Sequence, residues 1–75
     1  MPHLRTTEIL EILQRNPGSY IQHSMGNYRI KNKDGSDMKN IIENRNYLIE
    51  PTKEMMDDLL FESRIKLDGN FYVLI

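Results

Sequence analysis

The sequence contains no cysteine and no tryptophan among its 75 residues. The missing cysteine excludes disulfide bonds, thiolate zinc sites and a cysteine nucleophile. No stretch approaches the roughly 20 consecutive apolar residues that a membrane-spanning helix needs. The first 16 residues also lack the uninterrupted apolar segment of a secretory signal peptide. We therefore expect a soluble, cytoplasmic protein that does not associate with membranes.

The composition is typical of one small globular domain. Charged residues make up 28% of the chain and hydrophobic residues 39%, which favours a folded protein over a disordered one. The length leaves room for a single small core, so residues 1–75 form one domain. The net charge is only −1, but residues 12–33 contain four bases and no acid, whereas residues 50–62 contain five acids and one base. The charges are therefore segregated along the chain.

The expected fold class is α+β, with three helices and two antiparallel β-hairpins. The first helix begins with Thr6 or Thr7 as its N-cap and ends at the Asn-Pro-Gly of residues 16–18, because the residue before a proline disfavours the helical conformation. A second, short helix follows Ser36 or Asp37 as its cap. Its buried edge would consist of Met38, Ile41 and Ile42.

The third predicted helix covers residues 52–62 and is capped by Thr52. Its apolar stripe consists of Met55, Met56, Leu59 and Leu60, and the opposite side is almost wholly acidic. Helical geometry places Phe61 in the middle of that acidic side. Either the helix ends before Phe61, or this aromatic side chain is exposed.

Two hairpins are indicated by alternating apolar residues around short turns. The first turns at Gly26-Asn27, and the second at Asp68-Gly69 or Gly69-Asn70. In the first hairpin, one face carries Ile21, His23, Met25, Tyr28 and Ile30. The C-terminal strand is apolar on both sides, which predicts an internal strand or one covered by another chain. A homodimer through this strand is one such arrangement.

Two stretches resemble a winged-helix domain. "MMDDLLFESRIKLDGNFYVLI" looks like the helix, strand, glycine-tipped wing and final strand of that family, and "EILEILQRNPGSYI" looks like its first helix and strand. Together they cover about half of the chain. The chain departs from the family pattern at "NYLIEP" and in having a whole hairpin where the family has one strand. The resemblance implies a winged-helix-like fold and binding to DNA.

The first candidate site is the polar face of the first hairpin. Cations on this face can contact phosphates, and a tyrosine can stack on a base or donate its hydroxyl. The candidate nucleic-acid-binding residues are Tyr20, Gln22, Arg29, Lys31 and Lys33, together with Lys39 and Arg45 on the next segment. The other interpretation of this face is a solvated sheet surface whose charges protect an edge from aggregation.

The second candidate site is the acidic side of the third helix, which, with the apolar C-terminal strand, would make the protein an interaction or inhibitor module for a basic protein partner. Its residues are Glu54, Asp57, Asp58, Phe61 and Glu62. A helix with this charge is a poor DNA-recognition helix, because its carboxylates would face phosphates of the same sign. An acidic face that only keeps the protein soluble is the alternative.

Catalytic and metal signatures are lacking. His3 and His23 lie in different segments without carboxylates at ligand spacing, and residues 34–37 lack the later glutamate of a calcium loop. Ser24 and His23 are neighbours on a strand and point to opposite faces, so they do not form a dyad. We expect a regulatory, non-enzymatic binding module without a cofactor or a metal.

Overall fold

The computed structural model describes residues 5–42 and 45–75, and the side chains of residues 5–39 and 48–75. In chain order the elements are α1 (Thr6–Arg15), β1 (Tyr20–Ser24), β2 (Asn27–Lys31), β3 (Lys39–Ile42), β4 (Arg45–Leu48), α2 (Lys53–Phe61), β5 (Ile65–Asp68) and β6 (Phe71–Leu74). The described part of the chain is a small α+β domain with two helices and an antiparallel four-stranded sheet. The expected α+β class is confirmed, whereas the expected third helix and winged-helix arrangement are not.

Helix α1 begins at Thr6, one or two residues earlier than a cap at Thr6 or Thr7 predicts. Arg5 is the N-cap and makes no side-chain capping bond. At the other end the Asn16 side-chain amide donates to the Ile12 carbonyl oxygen at 2.7 Å, and Pro17 follows. The helix buries Ile9 and Leu13 completely against the sheet.

Helix α2 is capped at both ends. The Thr52 hydroxyl accepts a hydrogen bond from the Met55 backbone N–H at 3.2 Å, as predicted. At the C-terminus the Arg64 N–H donates to the Leu59 carbonyl at 2.9 Å and the Ser63 N–H to the Leu60 carbonyl at 3.1 Å. Ser63 has a φ of 57°, so the end is a Schellman motif with serine where glycine is usual.

The four-stranded sheet has the strand order β2-β1-β6-β5. The predicted internal position of the C-terminal strand is confirmed, because β6 lies between β1 and β5. The helices pack on one face of the sheet. The fully buried residues of this core are Ile9, Leu13, Ile21, Ile30, Met56, Leu59 and Ile65.

The short helix predicted after Asp37 is wrong, because residues 39–42 form β3, which pairs with β4. The backbone explains the difference. The Met38 N–H donates to the Ile30 carbonyl at 3.0 Å, and the Ile30 N–H donates to the Ile49 carbonyl at 3.1 Å. These bonds hold the base of the β3–β4 hairpin extended along the outer edge of β2. Asp37 accepts from Lys31 instead of capping a helix.

The first hairpin turns one residue earlier than predicted. Ser24 pairs with Asn27, so the two turn residues are Met25 and Gly26, with φ values of 51° and 81°. Positive φ at both positions is the pattern of a type I′ turn. The register differs from the predicted one by two residues, so the sidedness of the strands is preserved. Met25 is the exception, because it lies in the turn and is 98% exposed.

Candidate nucleic-acid interface

The sheet face away from the helices is open in the described part of the chain, and we call it the open face. Cross-strand pairs place a row of four side chains across it, from β2 to β5: Arg29, Gln22, Phe71 and Asp68. A second row contains Lys31 opposite Tyr20 and Val73 opposite Lys66. The open face therefore has its aromatic residues on the two central strands and its cations on the two outer strands.

Tyr20 and Phe71 form an aromatic pair at the centre of the open face. Their ring centroids are 4.4 Å apart, with the planes tilted by 45°. Both side chains are half-buried, so each retains accessible ring surface. Tyr20 was predictable from the sequence but Phe71 was not, because the pairing of β1 with β6 joins residues far apart in the chain.

Arg29 on β2 and Gln22 on β1 are directly opposite each other, so they share one face of the first hairpin, as predicted. With Ser24, Met25, Asn27 and Lys31 they line a shallow cavity of about 170 Å³. Both are half-buried. This part of the predicted site is therefore assembled by the fold.

Lys31 forms an ion pair with Asp37. The side chains are partly buried, with 17% of Lys31 and 31% of Asp37 exposed. The hydrogen bond from Lys31 lowers the pKa of the Asp37 carboxyl below its usual value, and the nearby charges of Lys31, Arg29 and Lys39 lower it further. Lys31 is thus partly neutralised, which leaves Arg29 as the stronger candidate for contact with a phosphate.

The remaining predicted cations do not all join the open face. Lys33 lies in the turn after β2. Its methylene groups pack so closely on Gly18 that a Cβ at residue 18 would lie 2.9 Å from the Lys33 side chain. It borders a separate cleft of about 400 Å³ with Arg15 and Asn16. Lys39 is exposed at the start of β3. The backbone of Arg45 pairs with Ile42, but its side chain lies outside the described residues, as does His3.

A third cavity, of about 370 Å³, adjoins the aromatic pair. Tyr20, Phe71 and Val73 line it from the sheet, and Pro17 and Ser19 line it from the loop after α1. Its volume falls in the range of sites that hold small organic groups. An aromatic ligand stacked on the Tyr20–Phe71 pair would lie beside this cavity.

His23 stacks on Tyr28 on the helix-facing side of the hairpin, with ring centroids 4.2 Å apart and the planes 11° from parallel. The His23 ring therefore has a packing contact within the hairpin. Within the residues whose side chains are described, no three His, Asp or Glu side chains come close enough together to bind a metal ion.

The acidic side of α2 is solvent-exposed, as expected. Glu54, Asp57, Asp58 and Glu62 are all exposed. The helix includes Phe61 as its last residue, and this side chain is 91% exposed. Of the two alternatives for Phe61, the exposed aromatic is the observed one.

No protein-family model, curated protein or solved structure shows significant similarity to this chain. Neither described helix has the length and apolarity needed to cross a bilayer.

Proposed function

We propose that this protein is a non-enzymatic module that binds single-stranded nucleic acid on the open face. The observation that supports this most directly is the Tyr20–Phe71 pair at the centre of an antiparallel sheet, 4.4 Å between ring centroids. Aromatic rings on such a sheet stack on unpaired bases, and each stacked base contributes about 1–3 kcal/mol to binding.

The cations are placed to follow a nucleic-acid backbone. Arg29 lies on the outer strand β2, and Lys66 lies on the outer strand β5, so the aromatic pair is between them. Lys66 is exposed and has no ion-pair partner among the described side chains. A strand crossing the sheet would stack its bases on the central rings and pass its phosphates near the flanking cations.

A double helix fits this surface less well than a single strand does. Stacking on Tyr20 and Phe71 requires a free base face, which a duplex does not offer along its length. The expected winged-helix mode would instead insert α2 into a groove, where its exposed carboxylates would repel phosphates. The charge of α2 therefore favours the open face over the helix as the nucleic-acid site.

Fluorescence anisotropy with labelled oligo-dT, oligo-rU and duplex DNA tests the proposal. Tyr20→Leu and Phe71→Leu preserve apolar volume but remove the rings, so each should weaken single-strand binding by about 5- to 100-fold. Phe61→Leu is the matched control, because it removes an exposed ring far from the open face in the fold and should change nothing. Thermal melting of each variant checks that it remains folded.

A salt series adds an independent test. Arg29→Glu should weaken binding and reduce the slope of log K against log salt concentration by about one. Asp57→Lys, on the acidic side of α2, should leave affinity unchanged or raise it. Absence of single-strand binding at low salt would refute the proposal, as would equal effects of the Phe71 and Phe61 substitutions.

The exposure of Phe61 favours a second candidate function, binding of a basic protein partner. Asp57 and Asp58 precede Phe61 by four and three residues, so they flank this 91% exposed ring on the helix surface. An aromatic anchor within a charged rim is a common centre of protein interfaces. A pull-down in which Phe61→Ala and Asp58→Lys each lose the same partner, while Phe71→Leu retains it, would support this function; retention by all three would exclude it.

A further inference from the structure

We propose that the protein forms a homodimer by antiparallel pairing of two β5 edges, centred on Leu67. Strand β5 is an outer strand of the described sheet, whereas both neighbours of β6 are occupied. Within this sheet the edge of β5 is therefore available for strand pairing, and the C-terminal strand that the sequence suggests is not. This inference does not depend on nucleic-acid binding.

The backbone of β5 determines which residues can pair outward. The turn at Gly69-Asn70 makes Asp68 and Phe71 the closing pair of the hairpin, and such a closing pair exchanges hydrogen bonds. Alternation then directs the N–H and C=O of Lys66 toward β6 and those of Leu67 away from it. Arg64, two residues before Lys66, also faces the C-terminal strand, because its carbonyl accepts a hydrogen bond from the Ile75 N–H at 3.2 Å.

Two β5 strands can pair with two-fold symmetry in several registers, and charge favours one of them. A two-fold pairing centred on Lys66 places two lysines opposite each other, and one centred on Asp68 places two aspartates opposite each other. Only the pairing centred on Leu67 places Lys66 of each copy opposite Asp68 of the other. In the dimer Lys66 is thus partly neutralised, and Arg29 is the flanking cation left for a phosphate. Opposite charges in directly facing positions stabilise a strand pair, and like charges destabilise it.

The side chains agree with this register. Leu67 is 58% exposed and lies on the same face as Ile65 and Tyr72, so the two copies of Leu67 would cover each other beside the cores. Lys66 and Asp68 are exposed on the open face. The result is an eight-stranded sheet whose two open faces lie on the same side.

The edge is only four residues long, so we expect a concentration-dependent dimer that forms between micromolar and millimolar protein. Sedimentation equilibrium without nucleic acid measures it. Lys66→Asp and Asp68→Lys each produce two like-charged pairs and should weaken the dimer about tenfold or more. The double exchange, Lys66→Asp with Asp68→Lys, restores opposite charges and should restore the dimer.

Amide hydrogen exchange locates the interface. The Leu67 N–H should become protected as concentration rises, whereas the Lys66 N–H should be protected throughout. Leu67→Pro removes an outward N–H without removing a bond to β6, so it should abolish the dimer while the monomer stays folded. Lys53→Asp on α2 is the control and should have no effect.

Three results would overturn the proposal. One is a monomer at every concentration, including the case in which the edge accepts only a strand of another protein. Another is a dimer that forms while the Leu67 amide remains unprotected. The third is a double exchange that is no better than the single substitutions.

Discussion

The two hairpins of the four-stranded sheet contain the same dipeptide but turn at different places. Gly69-Asn70 is the turn between β5 and β6, with a φ of 64° at Gly69 and no positive φ at Asn70. That sign pattern is typical of a type II′ turn. Gly26-Asn27 could form the same turn, yet β1 and β2 turn at Met25-Gly26. A turn signal therefore marks the neighbourhood of a turn without fixing its register.

Cross-strand packing decides the register of the first hairpin. In the observed pairing Ile21 is opposite Ile30, and both are 0% exposed. A turn at Gly26-Asn27 would place Ile21 opposite Asn32 instead. The left-handed conformation of Met25 costs about 1–2 kcal/mol. Both isoleucines would still face the helices after a two-residue shift, so it is their direct contact in the core that offsets this cost. The paired isoleucines outweigh the strained turn.

The largest effect is expected from the residue that sets this register. Ile30→Ala should lower the free energy of unfolding by about 2–5 kcal/mol, because it leaves a cavity in the core. Leu67→Ala in the second hairpin, where the side chain is 58% exposed, should cost less than about 1 kcal/mol. Urea denaturation measures both, and similar losses would show that the first hairpin is not held by its core pair.

The second-largest loss of stability is expected at the glycine of the second turn. Gly69→Ala should destabilise the protein by about 1 kcal/mol, because a Cβ is disfavoured at positive φ. No atom lies within 4 Å of the position that this Cβ would occupy, so the cost is conformational rather than steric. Asn70→Ala, at negative φ, is the control and should stay within about 0.5 kcal/mol of the wild type.

The first hairpin offers the opposite change, a stabilising one. Met25→Asn should raise the free energy of unfolding by about 0.5–1 kcal/mol, since asparagine tolerates the left-handed region and Asn-Gly is the preferred type I′ pair. Met25 is 98% exposed, so little packing is lost. Met25→Ala should be nearly neutral; if both variants behaved alike, turn strain would not explain the difference between the hairpins.

Local patterns in the sequence predicted those parts of the fold that depend on local physics. The apolar spacing of α1 and α2, the Thr52 cap and the internal position of β6 are each encoded within a few residues. The faces of the first hairpin were also predictable, although its turn was not, because a shift of two residues leaves every side chain on the same side.

Non-local pairing accounts for most of what the sequence did not predict. The spacing of Met38, Ile41 and Ile42 predicted a short helix, but the attachment of Met38 to β2 through Ile30 keeps this segment extended. The Tyr20–Phe71 pair depends on β1 and β6 becoming neighbours. The neutralisation of Lys31 by Asp37 depends on the path of the loop between them. Each of these contacts changes the candidate site.

The smallest expected effect concerns the ends of the hairpins and depends on pH. Lys31 at the end of β2 is paired with Asp37, whereas Lys66 in β5 has no ion-pair partner among the described side chains. Because the pKa of Asp37 is lowered in the folded protein, mainly by the hydrogen bond from Lys31, the folded state favours the ionised carboxyl. The resulting stabilisation is present above the unfolded pKa, about 3.9, and is lost as pH falls through the folded value.

Asp37→Asn should therefore flatten the fall in stability below about pH 4, measured by urea denaturation at a series of pH values. Lys31→Met should flatten it as well, because it removes the main cause of the lowered pKa, and the double variant should add nothing further. Lys66→Met tests the second hairpin and should leave the pH dependence unchanged. Part of the slope will remain in every variant, because hydrogen bonds from Ser36 also lower the pKa of Asp34. If Asp37→Asn and Lys31→Met had independent, additive effects on the slope of stability against pH, the Lys31–Asp37 ion pair would not be the cause of this pH dependence.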